Sequence, residues 1–121
     1  MTMPSGWAGG NSTVFSNAGT AKAWVNFNGT GTVAIRASFN VSSITDAGTG
    51  NYVVNFTTAM VDSNYFTTVA MQPGAALNPA IPLLRTDGSG FYSTTQVSVG
   101  TWNQNAASLS DTALVCVAVF R

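Results

Sequence analysis

Apolar and polar residues alternate along several short segments of the chain. In residues 22–28, Ala23, Val25 and Phe27 fall on one side, and Trp24, Asn26 and Asn28 fall on the other. A period of two is that of an extended strand, in which successive side chains point to opposite faces. The pattern therefore predicts a half-buried strand that carries a tryptophan on its polar side.

The same alternation and the turn residues between the segments predict the remaining elements. Residues 32–41 form a second strand, with Val33, Ile35, Ala37, Phe39 and Val41 facing inward. Residues 43–58 form a hairpin around the turn-rich loop 46–51, and a further strand covers 64–71. Three prolines make 72–82 a loop or an edge segment, 87–90 is a turn into a strand over 91–99, and 100–110 is a loop that carries Trp102.

Residues 112–120 are apolar on both faces, which indicates a strand covered on both sides. Val115, Val117 and Val119 on one of these faces are therefore predicted to lie in the core or at a subunit interface. The whole pattern predicts an all-β protein, a small antiparallel β-sandwich or barrel of about seven strands. We expect one β-domain over residues 21–121, preceded by an N-terminal arm over 1–20.

The arm is rich in Gly, Ser and Asn and carries two isolated aromatic residues, Trp7 and Phe15. These two side chains predict that the arm docks on a partner. No apolar run is long enough for a membrane-spanning helix, and the N-terminus has no basic region followed by an apolar stretch, so we expect no membrane insertion and no signal peptide.

Charged residues make up only 7% of the 121 residues, the formal net charge is zero, and the chain has neither His nor Glu. In their place stand 16 Thr, 12 Ser, 11 Asn and 12 Gly residues, while 45% of the residues are hydrophobic. A basic footprint for nucleic acid is therefore missing, as are most residues used in metal binding and acid–base catalysis. A surface with so little charge favours an oligomer that hides its apolar area.

Catalytic and metal-binding candidates are few. Asp46 and Asp87 lie in loops that offer oxygen ligands for calcium, but each loop has a single carboxylate and turn chemistry explains both. The single Cys116 cannot form an internal disulfide and is predicted to be a small buried hydrophobic residue. We expect no enzyme, no cofactor and no metal.

Aromatic side chains offer the remaining candidate sites. Trp24, Tyr65, Tyr92 and Trp102 are predicted at polar-facing positions or in loops, where they would contact a sugar, a protein partner or another subunit.

Residues 21–60 read AKAWVNFNGTGTVAIRASFNVSSITDAGTGNYVVNFTTAM. This segment resembles a module of tailed-phage virion proteins, especially the distal ends of tail fibres. The resemblance covers about a third of the chain and implies a homotrimeric, β-structured surface module without enzymatic activity, located in the virion after assembly in the host cytoplasm.

Two roles follow from this resemblance. With only some 20 residues before the module, the chain is expected to be a head decoration or cement protein that contacts the major capsid protein through Trp7 and Phe15 of the arm. The alternative is the receptor-binding tip of a tail fibre. It would present an outward loop surface formed by residues 72–90 and 100–110 to a host surface receptor, with Tyr92 and Trp102 as the receptor-facing residues.

Overall fold

The computed structural model describes residues 19–72, 80–85 and 92–121. The described residues form nine strands: β1 (Ala21–Asn28), β2 (Ala34–Phe39), β3 (Val41–Gly48), β4 (Asn51–Phe56), β5 (Phe66–Met71), β6 (Ala80–Leu84), β7 (Gln96–Asn103), β8 (Ser108–Leu109) and β9 (Val115–Phe120). All strand pairs are antiparallel, which confirms the predicted all-β class; the strand count of about seven was too low.

The strands form two sheets. Sheet A has the order β2-β1-β9-β5, and sheet B has the order β3-β4-β7-β6 with β8 paired to β7. The first and last of the described strands therefore lie side by side in the middle of sheet A. This central position agrees with the apolar pattern on both faces of β9.

The core lies between the two sheets. Sheet A contributes Ala23, Val25 and Phe27 from β1 and alternate valines from β9, while sheet B contributes Tyr52, Val54, Val97 and Val99. The rings of Phe27 and Tyr52 meet edge to face, with centroids 5.2 Å apart. The inward face predicted for β1 is thus confirmed.

A β-bulge in sheet A corrects the faces predicted for residues 32–41. Asn26 pairs with Ala37 but Phe27 pairs with Ile35, so Arg36 is an extra residue without a partner on β1. The bulge shifts the alternation by one, and Ala37 and Phe39 turn outward. The prediction that all five apolar residues of 32–41 face inward was therefore wrong for these two.

Asn40 ends β2 and begins the crossing to sheet B. Its φ of 54° lies in the left-handed region, which Asn tolerates better than most residues. Its Nδ2 donates to the carbonyls of Lys22 (3.0 Å) and Thr58 (3.1 Å), and its Oδ1 accepts from the Thr58 amide (2.7 Å). The single predicted strand over 32–41 is therefore two strands in different sheets, joined at this corner.

The predicted hairpin over 43–58 is confirmed as β3–β4, with a tighter turn at Thr49 and Gly50. Gly50 has a φ of 62°, and its amide donates to Asp111 Oδ1 at 2.7 Å. The Tyr52 hydroxyl lies 3.0 Å from the same oxygen and 2.8 Å from the Gly29 carbonyl. The pKa of Tyr52 is raised, mainly because the side chain is buried and secondly because it forms a hydrogen bond with Asp111.

Sheet B also corrects the elements predicted for the second half of the chain. Residues 100–103 continue β7 instead of forming a loop, because Trp102 pairs with Ile81 of β6 and with Leu109 of β8. The strand predicted over 91–99 begins only at Gln96. Pro82 does lie in an edge strand, as predicted, while 73–79 and the predicted turn 87–90 lie outside the described residues.

Candidate functional site

The outer face of sheet A is apolar. Since Val25 and Val117 point into the core, their strand neighbours point away from it, and the pairing aligns these outward residues across all four strands. We call this surface the apolar face; its apolar members are Trp24, Ala37, Phe39, Phe66, Ala70, Cys116, Ala118 and Phe120, and the polar residues Asn26 and Thr68 lie among them.

Three large side chains of the apolar face are exposed. The exposed fractions are 40% for Trp24, 53% for Phe39 and 64% for Phe66. Trp24 lies between Phe39 and Ala118 in the pairing register, and the rings of Phe66 and Phe120 are 6.4 Å apart. Large apolar side chains that adjoin on one surface form a patch, whereas scattered ones need no explanation.

A shallow depression of about 340 Å³ lies in the middle of this face. It runs along β1, β9 and β5, and its lining includes Trp24, Asn26, Thr68 and Cys116. Cys116 is half-buried there and not part of the core, which corrects the expectation of a buried cysteine. A thiol therefore lies in the lining of the depression.

Three basic residues, Lys22, Arg36 and Arg121, border the apolar face in the part of the chain that the structure describes, and Lys22 lines a groove together with Phe39. Arg36 donates to Asn26 Oδ1 (3.3 Å) and to the Ala113 carbonyl (2.7 Å). Arg121 follows Phe120 and holds Asp62 with two hydrogen bonds of 2.9 and 2.7 Å. The hydrogen bond from Arg121 lowers the pKa of Asp62 to about 2.

The outer face of sheet B is polar along β3 and β4. Asn55 Nδ2 donates to Ser43 Oγ (3.1 Å) and Thr45 Oγ1 (3.0 Å), so polar side chains satisfy one another there. Farther along this face the side chain of Arg85 covers Gly100, since a Cβ on Gly100 would lie 2.7 Å from Arg85 Cδ. At the other end of this face, alternation along β7 turns Trp102 outward, and the pairing places Ile81 and Leu109 beside it. The outer face of sheet B is thus polar along β3 and β4 and apolar where β6, β7 and β8 meet.

A second concave surface lies at one end of the sandwich, beside the Asn40 corner. Two adjoining grooves of about 480 and 560 Å³ share Lys22, Asn40 and Thr58 in their linings. Val61 borders one of them and is 82% exposed. Thr20, the last residue of the predicted arm, lines the other.

The structure separates the two residues predicted to face a receptor. Tyr92 is half-buried; its ring stacks on Tyr65 at 4.2 Å between centroids, and its hydroxyl donates to the Tyr65 carbonyl. Trp102 is half-buried on β7 and is not in a loop. Tyr65 itself is in the core, which corrects its predicted polar-facing position, and burial raises its pKa.

The other predicted site residues fall in three places. Val115, Val117 and Val119 lie in the core with at most 2% exposure. Asp46 is exposed at the end of β3, where its Oδ1 accepts from the Gly48 amide at 3.1 Å, as in a turn. Trp7, Phe15 and Asp87 lie outside the described residues.

The sequence pattern did not predict that Phe39 and Phe66 belong to the apolar face. Phe39 was assigned to the core because the bulge at Arg36 leaves no mark in the alternation. Phe66 begins a strand whose two faces differ little in polarity, so the pattern did not decide its side. The one usable signal was Trp24, which alternation places on the outer face of β1.

Within residues 19–72, 80–85 and 92–121, no group of three or more His, Cys, Asp or Glu side chains could hold a metal ion. The described part of the chain also has no helix long and apolar enough to cross a membrane. Comparisons with protein-family models, curated proteins and solved structures returned no match.

Proposed function

We propose that this protein is a non-enzymatic structural component of a tailed-phage virion surface, acting as a homotrimeric head decoration protein that binds the major capsid protein. The observation that carries the proposal is the apolar face, which lies on a chain with few charges. Such a face is typical of a protein that works in an assembly.

The phage assignment is supported by the resemblance of residues 21–60. This segment spans β1 to β4 and so includes strands of both sheets. It also supplies Trp24 and Phe39 of the apolar face, so the segment that resembles virion modules is the one that builds much of the candidate surface.

The decoration role is favoured over the fibre tip by the positions of the aromatic residues. A receptor site of the predicted kind needs the side chains of Tyr92 and Trp102 to be exposed. Tyr92 instead packs on Tyr65 at the edge of the core, and Trp102 lies within a strand. The large exposed rings lie instead on one face of a sheet, which suits contact with another protein surface.

Copy number per particle tests this function. We expect quantitative mass spectrometry of purified virions of the phage that encodes this chain to find it at a level comparable to the major capsid protein. A small multiple of three per particle would overturn the decoration role in favour of a fibre tip, and absence from the particle would overturn both.

The role of the N-terminal arm has its own test. A variant that lacks residues 1–12 is expected to keep its fold and its oligomeric state but to lose binding to undecorated capsids. Undiminished capsid binding by this variant, measured by co-sedimentation, would show that the arm is not the anchor.

A further inference from the structure

We propose that the apolar face and the two grooves beside Asn40 form one docking surface, and that its partner is a protein surface on which carboxylates flank apolar side chains. This inference rests on the proposed function, since it states the chemistry that the capsid protein must present. Three features of the molecule support it: the continuity of the surface, its area and the sign of the charges beside it.

The large rings of the apolar face lie at the end of sheet A that adjoins the grooves. Phe39 pairs with Trp24 and directly precedes Asn40, and Phe66 pairs with Phe120 at the same end of the sheet. Phe39 also belongs to the lining of one groove. The apolar face therefore continues around the end of the sandwich into the grooves.

Val61 extends this surface beyond the grooves. It is 82% exposed, more than any other large hydrophobic residue that the structure describes, and it lines one groove beside the buried Met60. An apolar side chain that adjoins other exposed apolar residues marks an interaction surface, whereas an isolated one does not.

The apolar face alone is too small for a stable contact. Its four strands have six to eight residues each. With a strand spacing of about 4.8 Å and a rise of about 3.3 Å per residue, they cover about 400–500 Å². A standard interface buries about 800 Å² on each partner. The partner is therefore expected to contact the face and the grooves together, and in a homotrimer three such contacts act at once.

The described charges beside this surface are mainly positive. Lys22 lines both grooves, Arg121 lines one of them, and Arg36 borders the face. Of the carboxylates that the structure describes, Asp62 is the one near this surface, and Arg121 holds both of its oxygens. A partner with the opposite sign, one that carries carboxylates, complements these charges.

Arg36 is oriented to bind such a carboxylate. Its two hydrogen bonds go to neutral oxygens, Asn26 Oδ1 and the Ala113 carbonyl. A guanidinium has five N–H donors, so the others have no partner in the described part of the chain. Three cations beside exposed rings are far from the clustered basic stripe that a nucleic acid requires, which favours an acidic protein as the partner.

Val61→Glu and Val61→Lys test the sign of the partner's charge at one position. Val61 lines the same groove as Lys22 and Arg121, so a carboxylate seated there would lie close to residue 61. Binding of the full chain to undecorated capsids of the phage that encodes it is measured by co-sedimentation at several NaCl concentrations. We expect Val61→Glu to bind at least about fivefold more weakly than Val61→Lys, and the difference to shrink as salt screens the charges.

Thr45→Glu and Thr45→Lys are the matched controls. Thr45 is exposed on the polar part of the outer face of sheet B, away from the proposed surface. These two variants are expected to bind capsids equally well. Circular dichroism and melting show whether all four variants are folded.

Equal binding by the two Val61 variants, or tighter binding by Val61→Glu, would overturn the inference. If a Val61 variant fails to fold, the wild-type chain decides: its binding must weaken as NaCl is raised, and binding that is independent of salt would overturn the acidic partner. In each of these cases wild-type binding to capsids leaves the proposed function intact. A wild-type chain that does not bind capsids would overturn both, and copy number per particle judges the function separately.

Discussion

Asn40→Ala tests the corner between the two sheets. The substitution removes three hydrogen bonds, two donated to the carbonyls of Lys22 and Thr58 and one accepted from the Thr58 amide. Hydrogen bonds contribute about 0.5–1.5 kcal/mol each, and the low end applies here because two of the three are exposed. Alanine must also keep the φ of 54°, at a cost of about 1 kcal/mol.

The expected loss in the free energy of unfolding is therefore about 2–3 kcal/mol. At fixed protein concentration this corresponds to a fall in Tm of about 10 °C for a domain of this size. Urea denaturation followed by tryptophan fluorescence measures the free energy, and calorimetry measures the Tm.

Asn40→Gly separates the two contributions. Glycine also loses the hydrogen bonds but adopts the left-handed conformation freely, so it should be about 1 kcal/mol more stable than the alanine variant. If Asn40→Ala lies within 0.5 kcal/mol of the wild type, the corner contributes nothing and the reasoning fails. If the two variants are equally stable, the strain part of the argument is wrong.

Three further outcomes follow from single positions. Gly29→Ala would place a Cβ 2.7 Å from Cζ of Tyr52, so we expect the free energy of unfolding, measured by urea denaturation, to fall by about 1–3 kcal/mol. Gly19→Ala is the control, because its Cβ would meet open space and the free energy of unfolding should not change. The pKa of Asp62 is lowered from 3.8 to about 2, so its ion pair stabilises the fold above pH 4 and this stabilisation is lost as the pH falls through 2. In the variant Arg121→Gln the pKa of Asp62, measured by NMR, should return towards 3.8. An unchanged pKa would contradict the pairing. Val117→Asp buries an unpaired charge in the core and should cost about 4 kcal/mol or more, so a folded product by circular dichroism would refute the central position of β9.

The fold class could be predicted from the sequence because strand alternation is a local property. The β1 segment alternates strictly and carries its apolar residues on the buried face, and β9 is apolar throughout because it lies in the middle of a sheet whose outer face is also apolar. Both patterns depend only on which side of a strand meets the core.

Features that depend on a partner strand could not be predicted in this way. The bulge at Arg36 exists only relative to β1, and it decides that Phe39 belongs to the surface. The extension of β7 through Trp102 likewise depends on β6 and β8, which lie elsewhere in the sequence. Of the apolar face, the sequence therefore predicted only the outward position of Trp24.

The position of β9 has a consequence for synthesis. β9, the last described strand, lies between β1 and β5, so sheet A has no continuous middle until residue 120 has emerged. Until then the inward side chains of β1 lack their neighbours on that side. Non-local pairing of this kind is slow and leaves incomplete chains prone to aggregate. Chains that stop before β9 would thus lack the central strip of sheet A and could not display the complete outer face of that sheet.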